Sequence, residues 1–204
     1  MNAREVSEKI EEAFSQLSGD GAFLAADRSA PYQFLSPHSE IANAIVVARK
    51  SNVILNAMKS PWLKDRPGFI GRASLPHRSD FVWSHSFLLE YRLFFLGDLS
   101  PADLMYFAWI RANCKCAALK YLGISDHYLG EIGIKFSDSI THAMTAAERG
   151  AMAVLEEVFP DWQVQTGRNC ADVMLASLRI DLDGITARLK SIDALVNQDF
   201  FEGQ

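Results

Sequence analysis

The chain has 204 residues, 49% of them hydrophobic and 22% charged, and a net charge of −5 at neutral pH. That length suits one domain with a full core, residues 1–204. The acidic balance argues against a general nucleic-acid binder, which needs cations to displace counterions, and the absence of an apolar run of about 18 residues predicts no membrane span.

The first predicted element is a helix from about Ala3 to Leu17, with Val6, Ile10, Ala13, Phe14 and Leu17 on one stripe. It is amphipathic and acidic, which speaks against a secretory signal. Ser18-Gly19-Asp20-Gly21 ends it, and Pro31 keeps the next stretch, to Leu35, irregular. Ser36-Pro37 opens a second predicted helix that carries Ile41, Ala44, Ile45, Ala48, Val53, Ile54 and Met58 up to Pro61. Residues 62–79 read as a loop. Asp80 caps a third helix, which runs through Phe81, Phe87, Leu88, Tyr91, Phe94 and Phe95 to the C-cap glycine Gly97.

Ser100-Pro101-Ala102-Asp103 is a further cap signal, with proline in the first position and a carboxylate at the positive end of the helix. The helix it starts is expected to reach Leu122. Ser125 caps a further predicted helix from His127 to about Met144. Thr145-Ala146-Ala147-Glu148 is a capping box, which opens a helix ending before Pro160. A last helix is predicted over about Ala171 to Val196. No strictly alternating stretch bounded by hairpin turns suggests a sheet, so the sequence reads as an all-α, globin-like assembly.

No nucleotide loop, zinc-protease, CxxC or nucleophile-elbow motif is present. Among His38, His77, His85, His127 and His142, no two lie three or four residues apart, so no local metal pair exists. Cys114, Cys116 and Cys170 are odd in number, and the first two point about 200° apart on a helix. They read as reduced thiols in a cytoplasmic protein. The distinctive feature is one basic loop, Lys64, Arg66, Arg72, His77 and Arg78, followed by Asp80, Trp83, His85, Phe87 and Tyr91. Arginines grip carboxylates in pairs of hydrogen bonds and aromatic faces hold flat rings, so the cluster suits an apolar ring system with acidic arms. It equally suits an acidic partner protein.

The order of these signals resembles that of the phycobiliproteins, the globin-like carriers of linear tetrapyrroles. Gly21-Ala22-Phe23-Leu24 is similar to their GxFL-like segment. RSDFVWSHSFLLEYRLFFLGD, residues 78–98, is similar to their chromophore helix, and PADLMYFAWIRANCKCAALKYLGIS, residues 101–125, to the helix that follows. The resemblance covers residues 1–158. It implies a helical hairpin over residues 1–35 and a homodimer built on it, with residues 161–204 as an extra C-terminal helix. Ser79 stands where the family has its attachment cysteine, so the resemblance implies non-covalent binding of a bilin, as in bilin biosynthesis-associated globins. Arg66, Arg72 and Arg78 would face the propionates, Asp80 the pyrrole N–H groups, and Trp83, His85, Phe87 and Tyr91 the slot, with His77 also among the cofactor-binding residues. A haem globin with His85 on the iron is the alternative, and a cofactor-free interaction protein a third.

Overall fold

A computed structural model of the chain describes residues 1–18, 32–37, 43–50, 67–77, 79–80, 90–114, 119–136 and 140–189. Five short strands form one sheet: β1 (Gln33–Leu35), β2 (Ala44–Ala48), β3 (Gly68–Gly71), β4 (Arg92–Phe95) and β5 (Leu119–Tyr121), in the order β1-β3-β2-β4-β5. β2 runs parallel to both β3 and β4, and β4 runs parallel to β5. β1 closes one edge antiparallel to β3, pairing Gln33 with Gly71. A separate antiparallel pair joins β6 (Thr141–Ala143) to β7 (Leu178–Ile180). The described helices are α1 (Ala3–Ser18), α2 (Pro101–Asn113), α3 (Asp126–Glu131), α4 (Ala146–Val158), α5 (Trp162–Thr166), α6 (Arg168–Leu175) and α7 (Leu182–Thr186).

The expectation of an all-α, globin-like fold is therefore corrected: the described residues form an α/β structure built around a mixed, largely parallel sheet. The physical reason lies in the strands themselves. A parallel strand covered on both faces reads as a short unbroken apolar run, which periodicity alone cannot tell from a piece of buried helix. Ala44-Ile45-Val46-Val47-Ala48 is such a run, with four of its five residues buried. Leu93-Phe94-Phe95 is another, while Leu119-Lys120-Tyr121 is too short for its alternation to stand out; both fall at the end of a predicted helix. The predicted helices 37–60 and 80–96 thus each contain a strand, and their remaining parts at 38–42, 51–60 and 81–89 lie outside the described residues. Likewise the last predicted helix divides into α6, β7 and α7, with residues 190–204 outside the described set.

Helix starts follow the cap chemistry closely. Ser100 Oγ accepts from the Asp103 amide at 3.2 Å, and Pro101 occupies the first turn. Thr145 and Glu148 form the complete capping box, each side chain accepting from the other's backbone N–H. Ser125 Oγ accepts from the Tyr128 amide at 3.1 Å, although α3 stops at Glu131. His142 is exposed on β6.

Helix α2 is buried on every side from Pro101 to Ile110, as befits the central helix of a layered core. Helices α1 and α4 pack against it and against each other. The stripe of α1 is spent in this layer: Ile10, Phe14 and Leu17 are all buried, so the apolar face expected to build a dimer is covered within the chain. Trp109 Nε1 donates to Glu11 at 3.2 Å and the Asn113 amide to Ser7 Oγ at 2.7 Å, which fixes the register of α1 on α2.

Candidate functional site

Among the parallel strands, sequence order and strand order disagree at one place. The chain passes from β2 to β3 on one side, then crosses to the other side of β2 to lay down β4. Such reversals open a crevice outside the carboxyl ends of parallel strands, where loops diverge and backbone groups point outward. Here the reversal falls between β2 and β4, and charged residues stand just past the strand ends: Arg49 and Lys50 after β2, Arg72 after β3, and Asp98 two residues beyond Leu96 after β4.

Backbone bonds tie these strand ends together. The Arg72 amide donates to Ala48 O at 3.1 Å, Leu96 to Val47 O at 3.0 Å, and Ile124 to Gly97 O at 3.1 Å. Gly97 has no room for a side chain, because a Cβ there would lie 2.7 Å from the Phe95 ring and 3.1 Å from Asp103 Cβ. The glycine thus lets the loop after β4 approach the first turn of α2.

Lys50 Nζ lies 2.7 Å from Asp98 Oδ2, 3.0 Å from Asp183 Oδ2 and 3.4 Å from Asp181 Oδ1. Asp98 is buried, and its other oxygen accepts from the Leu182 amide at 2.8 Å. Its own amide donates to Asp103 Oδ2 at 2.7 Å. The remaining Asp103 oxygen takes the Arg49 guanidinium, in a pair that is buried on both sides. Burial, then repulsion from Asp103, pushes the Asp98 carboxyl up to about 7 against the pull of Lys50. Burial works against the Lys50 ammonium and the Arg49 guanidinium too. The neighbouring carboxylates outweigh it, so both are held above their ordinary values and stay charged.

The second half of the edge is built on Arg72. Its guanidinium is buried, donates from Nε to Ser74 Oγ at 2.9 Å, lies 3.5 Å from Asp80 and stacks 4.7 Å above the Tyr32 ring. The Tyr32 hydroxyl donates to Asp80, and the Asp80 carboxylate also accepts from the His77 amide at 2.9 Å. Tyr106 of α2 donates to Arg72 O at 3.4 Å. Burial and the nearby Tyr32 raise the Tyr106 phenol, while Arg49 and Arg72 lower it; the hydroxyl stays protonated.

Of the residues singled out from sequence, Arg72, His77 and Asp80 come together at this edge, His77 through its backbone. Tyr91 precedes β4 and so sits at the amino edge, where Arg92 pairs with Ala44, about 13 Å of strand away. Arg66, Arg78, Trp83, His85 and Phe87 lie outside the described residues. The expected bilin slot of Trp83, His85, Phe87 and Tyr91 thus falls mostly on residues outside the described set. Among the described residues no group of three or more His, Cys, Asp or Glu side chains could hold a metal ion. No described helix is long and apolar enough to cross a membrane.

Sequence reasoning missed Arg49, Lys50, Asp98, Asp103 and Asp181. A signal for them existed. Two short apolar runs, AIVVA and LFFL, are followed at once by Arg-Lys and by Gly-Asp, the pattern of strands that deliver charge to a sheet edge. No protein-family model matches the chain, and no curated protein is similar to it.

Proposed function

We propose that this chain binds a small anionic molecule in the crevice at the carboxyl edge of its parallel sheet, with Lys50 as the contact to the anion. The observation that carries this reading is the meeting of Lys50 and Asp98 at the reversal of strand order, the place where open α/β sheets take their ligands. Arg49 and Arg72 bring two further cations to the same edge of the sheet, each paired with a carboxylate, Asp103 and Asp80. The Lys50 side chain is 27% exposed, whereas Arg49 is 10% exposed and pairs with the enclosed Asp103.

Asp98 gives the site a second property. A carboxyl pushed up to about 7 holds or releases a proton near neutral pH, which suits a group that hydrogen-bonds or protonates a bound ligand. Titration calorimetry with inorganic phosphate and pyrophosphate tests the reading on the intact chain. The wild type should bind at least one of them, and Lys50→Met combined with Asp98→Asn, which removes the cation without stranding a buried carboxylate, should abolish the heat. Equal binding by that folded variant would put the anion elsewhere.

A further inference from the structure

The segment that follows β7 lies across the crevice. Leu99 and Ile180 exchange a pair of backbone hydrogen bonds, 3.0 and 3.2 Å long, just beyond the end of β4. Two residues later the Leu182 amide docks on Asp98. Between and beyond these anchors the segment delivers two carboxylates, Asp181 and Asp183, to the same ammonium. A lysine has three N–H donors, and Lys50 thus spends one on Asp98 and two on residues 131 and 133 positions downstream.

The two downstream carboxylates are unequal. Asp181 is mostly buried, and its other oxygen lies 3.4 Å from Arg179 Nη2. The Asp183 side chain is 60% exposed, and no other ion pair holds it among the described residues. An exposed ion pair of this kind is weak and exchanges easily for another anion.

We infer that the Asp181 and Asp183 carboxylates stand on Lys50 in place of a ligand's paired anionic groups, so that residues 181–183 form an intrachain latch, anchored by the buried Ile180 and Leu182, whose charges are displaced from Lys50 by a doubly anionic ligand such as a diphosphate. The inference rests on the anion-binding reading of the crevice and names its ligand class and its regulation. Docking of the latch and binding of the ligand compete for the same two donors. Apparent affinity is then reduced by the fraction of chains with the latch in place, and removing its charges restores it.

Pyrophosphate is the probe, used with the wild type, Asp183→Asn, Asp181→Asn/Asp183→Asn and Lys50→Met/Asp98→Asn. Both latch variants keep the Leu99–Ile180 and Leu182–Asp98 bonds, so the fold is retained, and circular dichroism checks it. The double latch variant should bind pyrophosphate at least roughly fivefold more tightly than the wild type. Pyrophosphate should also speed hydrogen exchange at the Ile180 and Leu182 amides of the wild type. Binding only after the latch charges are removed would support the inference as well. Wild-type binding that is lost in Lys50→Met/Asp98→Asn but unchanged or weakened in both latch variants would overturn the latch and leave the anion site standing. Absence of binding in the wild type and in both latch variants would remove the anion site, and the latch with it.

Discussion

Lys50 follows β2 and Asp98 follows β4, and their side chains meet at 2.7 Å over the boundary where the strand order reverses. Neither residue belongs to a motif. They come together because two parallel strands lie side by side with Val47 opposite Phe95, which brings the loops that follow into register. The pair joins three parts of the chain, since Asp98 also accepts from Leu182 and is held by its own amide to Asp103.

Asp98 predicts a pH dependence of stability. Its folded value is raised, so between its ordinary value of 3.8 and about 7 the folded chain holds a proton that the unfolded chain has released. Its favourable contribution is complete below that window and is lost as pH rises through it. Urea denaturation of wild type and Asp98→Asn at roughly pH 4 and pH 8 checks this. The wild type should lose more stability over that interval than the variant does. Parallel losses would show that Asp98 titrates near its ordinary value.

Arg49 and Asp103 form a buried ion pair in which Asp103 is completely enclosed. Removing one partner leaves the other charge uncompensated, so Arg49→Met should cost about 3–5 kcal/mol. Adding Asp103→Asn should return part of that loss, because the stranded charge is then gone. A double variant whose cost is the simple sum of the singles would show that the two side chains do not interact.

Gly97→Ala should destabilise the chain by about 1–3 kcal/mol. The new methyl meets the Phe95 ring, and that ring is wedged between Tyr106 and Tyr121 at centroid distances of 5.8 and 6.1 Å, so it has nowhere to retreat. The melting temperature of the variant reports the cost. An unchanged value would mean that the loop can lift from α2.

Thr145 and Glu148 share a capping box, yet their roles differ in depth. Thr145→Ala removes one cap bond and should cost about 1 kcal/mol. Glu148 is fully buried, returns a bond to the Thr145 amide, and holds Arg179 at 2.8 Å. Glu148→Ala should therefore cost at least about 2 kcal/mol, because Arg179 of β7 loses its buried partner as well. Equal costs in chemical denaturation would reduce Glu148 to a helix cap.

What could be read from the sequence was local. Ser100, Ser125 and Thr145 start helices where their chemistry says they should, since a cap is decided within four residues. The stripe of α1 was legible for the same reason. The sheet was not, because its strands pair with partners distant in sequence and β2, β3 and β4 carry no alternation. Ile45 and Val46 look alike in a buried helix and in a buried strand. Arg72 and Asp80 were found through the density of charge around them, and the structure joins them to each other. Lys50 and Asp98 went unnoticed because 48 residues separate them in sequence and only the parallel register makes them neighbours.

The central claim is one of location, and amide chemical shifts mapped during a pyrophosphate titration test it most directly. The account predicts shifts at Arg49, Lys50, Arg72, Asp98 and the 179–183 segment, with Asn43 and Arg92 at the amino edge unmoved. Shifts centred on the amino edge, or none in either the wild type or Asp181→Asn/Asp183→Asn, would contradict it.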